Sequence, residues 1–202
     1  MGNQVSKHAL RSVKFKEKGR PTLAGRKLWF DEVYGRLNAD GKGRYVGSFE
    51  GDERILVIYA GGYYELTDTE ITQRFESDKV LMIEKFDPEK IISAVYLDNE
   101  KQQYNVKRFR IETTSLHNHF YFVKEGAGNV VEAATSQKAP VLLVQTGRGQ
   151  QVRKAKFKID KLVDIMGWKA VGAKLMDFNK TVTMEWEQPT VPESNGAPEL
   201  FE

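Results

Sequence analysis

Arg153, Lys154, Lys156 and Lys158 fall within six consecutive residues, and Arg148 precedes them in the turn Thr146-Gly147-Arg148-Gly149. Cations spaced this closely, with few acids among them, do electrostatic rather than covalent chemistry. They suit a polyanion, above all a nucleic-acid backbone, which they bind independently of sequence by releasing its counterions. Other constellations offer less. His117-Asn118-His119 sets two imidazoles two positions apart, but His8 is the only other histidine, so exposed turn residues are a better reading than a metal site. Gly41-Lys42-Gly43-Arg44-Tyr45-Val46-Gly47 approaches a glycine-rich phosphate loop, yet it misses the dinucleotide spacing by one and no helix follows. It reads instead as a hairpin turn that exposes Lys42 and Arg44. There is no cysteine, no evident Ser-His-Asp or Cys-His set and no carboxylate pair in an apolar setting. Neither a metal, nor a cofactor, nor catalysis within this chain is expected.

The elements that must carry these cations are short strands. Val141-Leu142-Leu143-Val144 enters the basic hairpin, and Ile55-Leu56-Val57-Ile58-Tyr59 enters an earlier one through Gly61-Gly62 to Tyr63-Tyr64-Glu65-Leu66-Thr67. Both first strands are apolar throughout, as strands buried on both faces are. Further strands are expected at Leu28–Phe30 with a return at Tyr34–Leu37, at Tyr45–Phe49, at Val80–Ile83, at Ile91–Tyr96 and along the alternating stretch Tyr104–Ile111. Phe120–Val123 and Val130–Ala133 read as a pair joined through Gly126-Ala127-Gly128. Val163–Met166 reads as one helical turn, Trp168–Leu175 as a strand interrupted at Gly172, and Val182–Trp186 as a final strand with one apolar face. Starts at Leu28, Ile55, Ile91 and Val141 recur at uneven intervals, which gives about four antiparallel, blade-like sheets in an all-β fold, open or closed.

At 202 residues, with 40% hydrophobic and 29% charged, the chain is a globular domain. The expected layout is a basic leader over 1–20, one β domain over 21–187 and a disordered acidic tail over 188–202 rich in proline. The absence of cysteine fits a reducing cytoplasm, and no apolar run reaches the length of a membrane span. Met1-Gly2-Asn3-Gln4-Val5-Ser6 meets only the loose myristoylation pattern, which any Met-Gly start also meets. The net charge of +3 hides an uneven distribution: eleven cations lie between Lys7 and Arg44, nine between Arg148 and Lys180, and none after that. Two such regions would meet on one face of a ring of blades, and the acidic tail would compete with a polyanion for them. From residues alone, a nucleic-acid-binding domain, a propeller-like protein-interaction module and an RNA-binding β domain all stay open.

The stretches Leu23-Ala24-Gly25-Arg26-Lys27-Leu28-Trp29-Phe30-Asp31, Gly35-Arg36-Leu37-Asn38, Asp40-Gly41-Lys42-Gly43 and Gly51-Asp52 before Ile55-Leu56-Val57-Ile58 resemble the C-terminal domain of the DNA-cleaving chain of bacterial DNA topoisomerase IV, of the gyrase A/ParC family. Pro140–Gln151 and Gly167–Leu175 resemble a late blade of the same domain. The resemblance implies a β-pinwheel whose blades exchange strands and whose basic rim binds and bends double-stranded DNA, presenting it for ATP-dependent strand passage. It implies a non-catalytic part of a type II topoisomerase (an isomerase). The implied partners are the rest of that DNA-cleaving chain, which is the enzyme's ParC-type component, plus the separate ATPase component. A cytoplasmic, nucleoid-associated location follows, and Met1 becomes a fragment boundary. The phosphate contacts it suggests are Arg26, Lys27, Lys42 and Arg44 early in the chain and Arg148, Arg153, Lys154, Lys156, Lys158, Lys169 and Lys174 late in it. Gln145-Thr146-Gly147-Arg148-Gly149-Gln150-Gln151 carries one cation where a gyrase-type box carries more, which favours the topoisomerase IV type over tight chiral wrapping.

Overall fold

The computed structural model describes residues 25–126 and 128–188. The basic leader, the strand expected near Val13 and Phe15, and the tail beyond Gln188 lie outside the described residues. Within them the chain is almost entirely β: fourteen strands in four antiparallel sheets, with one four-residue α-helix. Each sheet grows around a core strand: β1 (Arg26–Asp31), β4 (Ile55–Tyr59), β7 (Ile91–Asp98) and β11 (Val141–Thr146). These four contain the four starts of the sequence repeat.

The unit runs core strand, outer strand, inner strand. In the first sheet β2 (Arg36–Asn38) and β3 (Arg44–Phe49) flank β1. In the second, β5 (Tyr63–Thr67) and β6 (Val80–Lys85) flank β4; in the third, β8 (Gln103–Arg110) and β10 (Val130–Thr135) flank β7; in the fourth, β12 (Arg153–Lys158) and β14 (Thr183–Trp186) flank β11. Between outer and inner strands the later units make an excursion onto the preceding sheet. Strand β9 (Phe120–Tyr121), which follows β8, pairs with β5 of the second sheet, and β13 (Ala173–Asp177), which follows β12, pairs with β8 of the third. A reduced form follows β5, where Arg74 makes a single antiparallel bridge to Arg36 of β2. These excursions differ in length, and this is why the sequence starts are unevenly spaced. Four blade-like sheets that trade strands are the architecture of a β-pinwheel.

Burial follows from the stacking order. The alternate side chains of β4 point to opposite faces: Ile55, Val57 and Tyr59 join Leu28, Phe30 and Val46 in one core, while Leu56 and Ile58 join Ile92, Ala94 and Phe109 in the next. Strand β7 likewise divides between that second core and a third, where Val95 meets Leu142, Val144 and Ile159. So a strand reads as continuously apolar when a sheet packs on each side. Among the described residues the terminal sheets have one packed face only. Strand β11 therefore alternates, with Leu142 and Val144 buried and Val141 and Leu143 half-buried, which corrects the expectation that it is buried on both faces.

Three further expectations are corrected. Phe120–Val123 and Val130–Ala133 do not pair; β9 and β10 belong to different sheets. The helical turn lies one step earlier, as α1 (Ile159–Leu162), because Ile159 and Val163 are both buried and the Val163 N–H bonds the Ile159 carbonyl at 3.1 Å. Trp168 and Lys169 form a turn rather than a strand, since the Trp168 ring packs on Tyr64 and Phe120 while β13 starts only at Ala173.

Candidate nucleic-acid interface

Strand β12 is the outer strand of the last sheet, and five of its six residues are exposed. The register fixes which way its cations face. Lys154, Lys156 and Lys158 sit opposite Gln145, Leu143 and Val141, so they share the unpacked face of the sheet. Phe157 sits opposite buried Leu142 and Ala155 opposite buried Val144, so they share the packed face. The three lysines thus form a row with an interval of about 6.7 Å, close to two base-pair steps of about 3.4 Å measured along the DNA helix axis. Lys156 is met by Glu187 at 2.5 Å, the nearest acid to the row. Arg153 pairs in register with Thr146 at the end where the exposed Arg148 leaves β11, which extends the basic edge around the turn. Lys174 lies on β13, the exchanged outer strand of the adjoining sheet, and is exposed and paired with Asp177 at 2.6 Å.

The early cations occupy the opposite terminal sheet. Arg26 and Lys27 open β1 and are exposed, and Lys27 faces the free side together with Trp29 and Tyr45, whose ring centroids are 5.4 Å apart. Lys42 is displayed by a loop that Asn38 holds from both ends: its amide nitrogen donates to the Lys42 carbonyl at 2.8 Å and its oxygen accepts from the Lys42 N–H at 3.1 Å. Arg44 starts β3 and pairs with Glu32 at 3.4 Å. Lys169 stands apart from both groups, on the turn, with its ammonium 4.9 Å from the centroid of the Trp168 ring. Of the eleven expected contacts, then, four form a continuous edge on β12, Arg148 follows it around the turn, Lys174 lies on the outer strand of the third sheet, four sit on the first sheet or its loop and one is on a turn. The first and last sheets border a common cavity through Arg44 and Tyr45 on one side and Trp186 on the other.

Three exposed arginines escaped the sequence reading. Arg36 and Arg74 stand directly opposite each other in the bridge that completes the first sheet, and Arg110 ends β8. The signal was available for Arg36, which neighbours the Gly35 turn, but the cross-strand position of Arg74 depends on the excursion. Two other cations of β8 turn inward. Lys107 is fully buried and donates to the carbonyls of Phe122 and Trp168, each at 2.7 Å, and to that of Ala170. Burial pushes its ammonium down to about 8. Arg108 is buried too and donates to the Val163 carbonyl at 3.1 Å. His117 and His119 are half-exposed and brace β9 against carboxylates: His117 lies 3.2 Å from Asp68, and His119 lies 3.7 Å from Glu65. No group of side chains able to hold a metal ion is found among the described residues, and no helix among them is long and apolar enough to cross a membrane.

Strand-exchanging blades with a basic outer edge define a bladed all-β domain of the pinwheel type. Residues 36–183 match the family described as the topoisomerase C-terminal domain of Bacteroidota, and the chain belongs to that family. None of the curated proteins matches it.

Proposed function

We propose that this domain binds duplex DNA through its basic outer strands and terminal sheet faces and bends it, as the non-catalytic C-terminal domain of the DNA-cleaving chain (gyrase A/ParC type) of an ATP-dependent type II topoisomerase. The observation that carries the reading is the row Lys154, Lys156 and Lys158 on an exposed edge strand of a domain in a topoisomerase family. Such a row neutralises phosphates and reads no base edges; no recognition helix accompanies it among the described residues, so affinity comes from backbone contact and duplex shape. The duplex would run along β12 past Lys174 and would reach the first sheet, with Arg26, Lys27, Lys42 and Arg44, only by curving around the stacked sheets. In the whole enzyme the domain would hold a DNA segment for strand passage, alongside the breakage-reunion region and the ATPase component, in the bacterial cytoplasm at the nucleoid.

The test is a titration of labelled duplex DNA and duplex RNA across a salt series. Affinity for DNA falls steeply with salt, and replacing Lys154, Lys156 and Lys158 by Gln lowers the log–log slope by about 1 per lysine. Reversing the charges of Arg153, Lys154 and Lys156 together abolishes most of the affinity, and a doubly end-labelled duplex shortens its end-to-end distance on binding. Salt-insensitive binding, or unchanged binding by the charge-reversed variant, overturns the assignment.

A further inference from the structure

The strand exchange follows one rule, and β12 is where that rule is left unmet. In each of the last three units the residues after the outer strand complete the edge of the sheet before: Arg74 on β2, β9 on β5, β13 on β8. All three additions are antiparallel. Strand β12 would take its neighbour from a unit beyond the fourth sheet. Among the described residues it pairs with β11 alone, and its outer edge meets no strand.

We infer that the outer edge of β12 is a strand-addition site for an extended acidic segment of another polypeptide. The ladder groups of an exposed edge provide the affinity, and the alternate side chains provide the selection. An incoming antiparallel strand places every second residue beside Lys154, Lys156 and Lys158 on the free face, where carboxylates are matched and cations repelled. Its other residues fall beside exposed Ala155 and half-buried Phe157; Phe157 packs on the third core, and an apolar side chain beside it extends that core. Acid–apolar alternation over the six-residue length of β12 is the pattern the edge selects. Lysines on an edge strand ordinarily discourage pairing; here they refuse neutral and basic strands while admitting acidic ones. A second copy of this chain is refused as well, because antiparallel β12–β12 pairing with the free faces on one side sets Lys154 against the Lys158 of its mate and Lys156 against Lys156. Glu187, bonded to Lys156, shows that a carboxylate reaches the row. Strand addition stands independently of the DNA reading.

The probe is a synthetic peptide of alternating Glu and Val, titrated in the absence of DNA against the full chain, with amide exchange followed over β12. The peptide should bind and protect the amides of Arg153–Lys158. A peptide of the same sequence N-methylated at alternate residues keeps its charge, loses its ladder and should bind about tenfold more weakly, equivalent to ~1.4 kcal/mol. Exchanging Lys154 and Lys156 for Glu, both exposed and off the packed face, should transfer the preference to a Lys–Val peptide. Equal binding of the N-methylated peptide, or protection centred away from β12, overturns the proposal. So does binding that appears only after removal of residues 189–202, since the occupant is then the chain's own acidic end. Loss of peptide binding with DNA affinity intact condemns strand addition alone.

Discussion

A cation on an alternating strand looks the same in sequence whether it meets solvent or holds the fold together, and β8 has both kinds. Arg110 is exposed, whereas Lys107 is enclosed with its three N–H groups on three carbonyls drawn from the β9 segment and the 168–170 turn. Replacing Lys107 by Met keeps the volume and orphans those acceptors, each worth about 1–3 kcal/mol when buried without a partner. We expect a loss of about 3 kcal/mol, read as a fall in Tm of roughly 9 °C. The pH dependence has a definite sign. Burial holds the folded pKa at about 8, below the ordinary 10.5, so between these values the unfolded chain binds the extra proton. The stability of the native protein relative to Lys107→Met should therefore rise across that interval, which chemical denaturation at a series of pH values measures. Arg36 and Arg74 give the opposite case. Like charges directly opposite on a sheet cost stability, and among the described residues neither arginine forms a salt bridge, although Asp31 lies across β1 from Arg36. Arg74→Gln should leave the Tm unchanged or raise it slightly while weakening duplex DNA binding; a lower Tm with unchanged DNA affinity would make the pair structural.

The core strands were legible because each lies in a run of apolar residues, which for β4 and β7 the sheet packed on each side explains, and the Gly61-Gly62 and Asp40–Arg44 turns were legible because their chemistry is local. The exchanged strands were not. Phe120-Tyr121 and Ala173–Asp177 are apolar or mixed in any register, and nothing in their composition says whether the acceptor is the sheet they follow or the one before it. The basic edge was legible for the same reason as the turns: Arg153–Lys158 is contiguous in sequence, so its exposure did not depend on a distant partner. What fixes an exchange is a close approach. Gly172 has φ +91°, and a Cβ there would stand 2.5 Å from the Val106 carbonyl of β8, the strand that β13 joins one residue later. Gly172→Ala should therefore detach β13 before it unfolds anything else, at a cost of about 1–3 kcal/mol for the backbone conformation alone. Native-state amide exchange should show lost protection along the β8–β13 ladder with the β4–β5 ladder unaffected; uniform loss over both would mean that the exchanged strand is not a separate unit.

Taken whole, the four sheets are arranged in series, with cores between the first and second, second and third, and third and fourth, and with inner strands packed in succession from β3 to β6, β10 and β14. A stack of this kind would lose terminal repeats singly if each unit kept its own strands, since each unit would then touch only its neighbours. Exchange removes that independence. The fourth unit carries β13, the outer strand of the third sheet, and the turn whose Trp168 and Ala170 carbonyls receive Lys107. Deleting residues 141–188 thus strips three things at once: the partners of Val95, Tyr104 and Val106 in the third core, the ladder on β8, and two of the three acceptors of a buried ammonium. The first unit lends no strand to its neighbour; besides its packed face it receives the Arg74 bridge with the Phe75 N–H on the Gly35 carbonyl, and Lys85 of β6 reaches back to the Ser48 carbonyl at 2.8 Å and to Glu53 at 2.7 Å. Truncation is accordingly expected to be asymmetric. Removal of residues 25–53 should leave a cooperative thermal transition at reduced Tm, whereas removal of 141–188 should leave none, with near-ultraviolet circular dichroism lost across the range. A sharp melt in the second truncation would show that three blades suffice and that the exchanged strand contributes little to cooperativity.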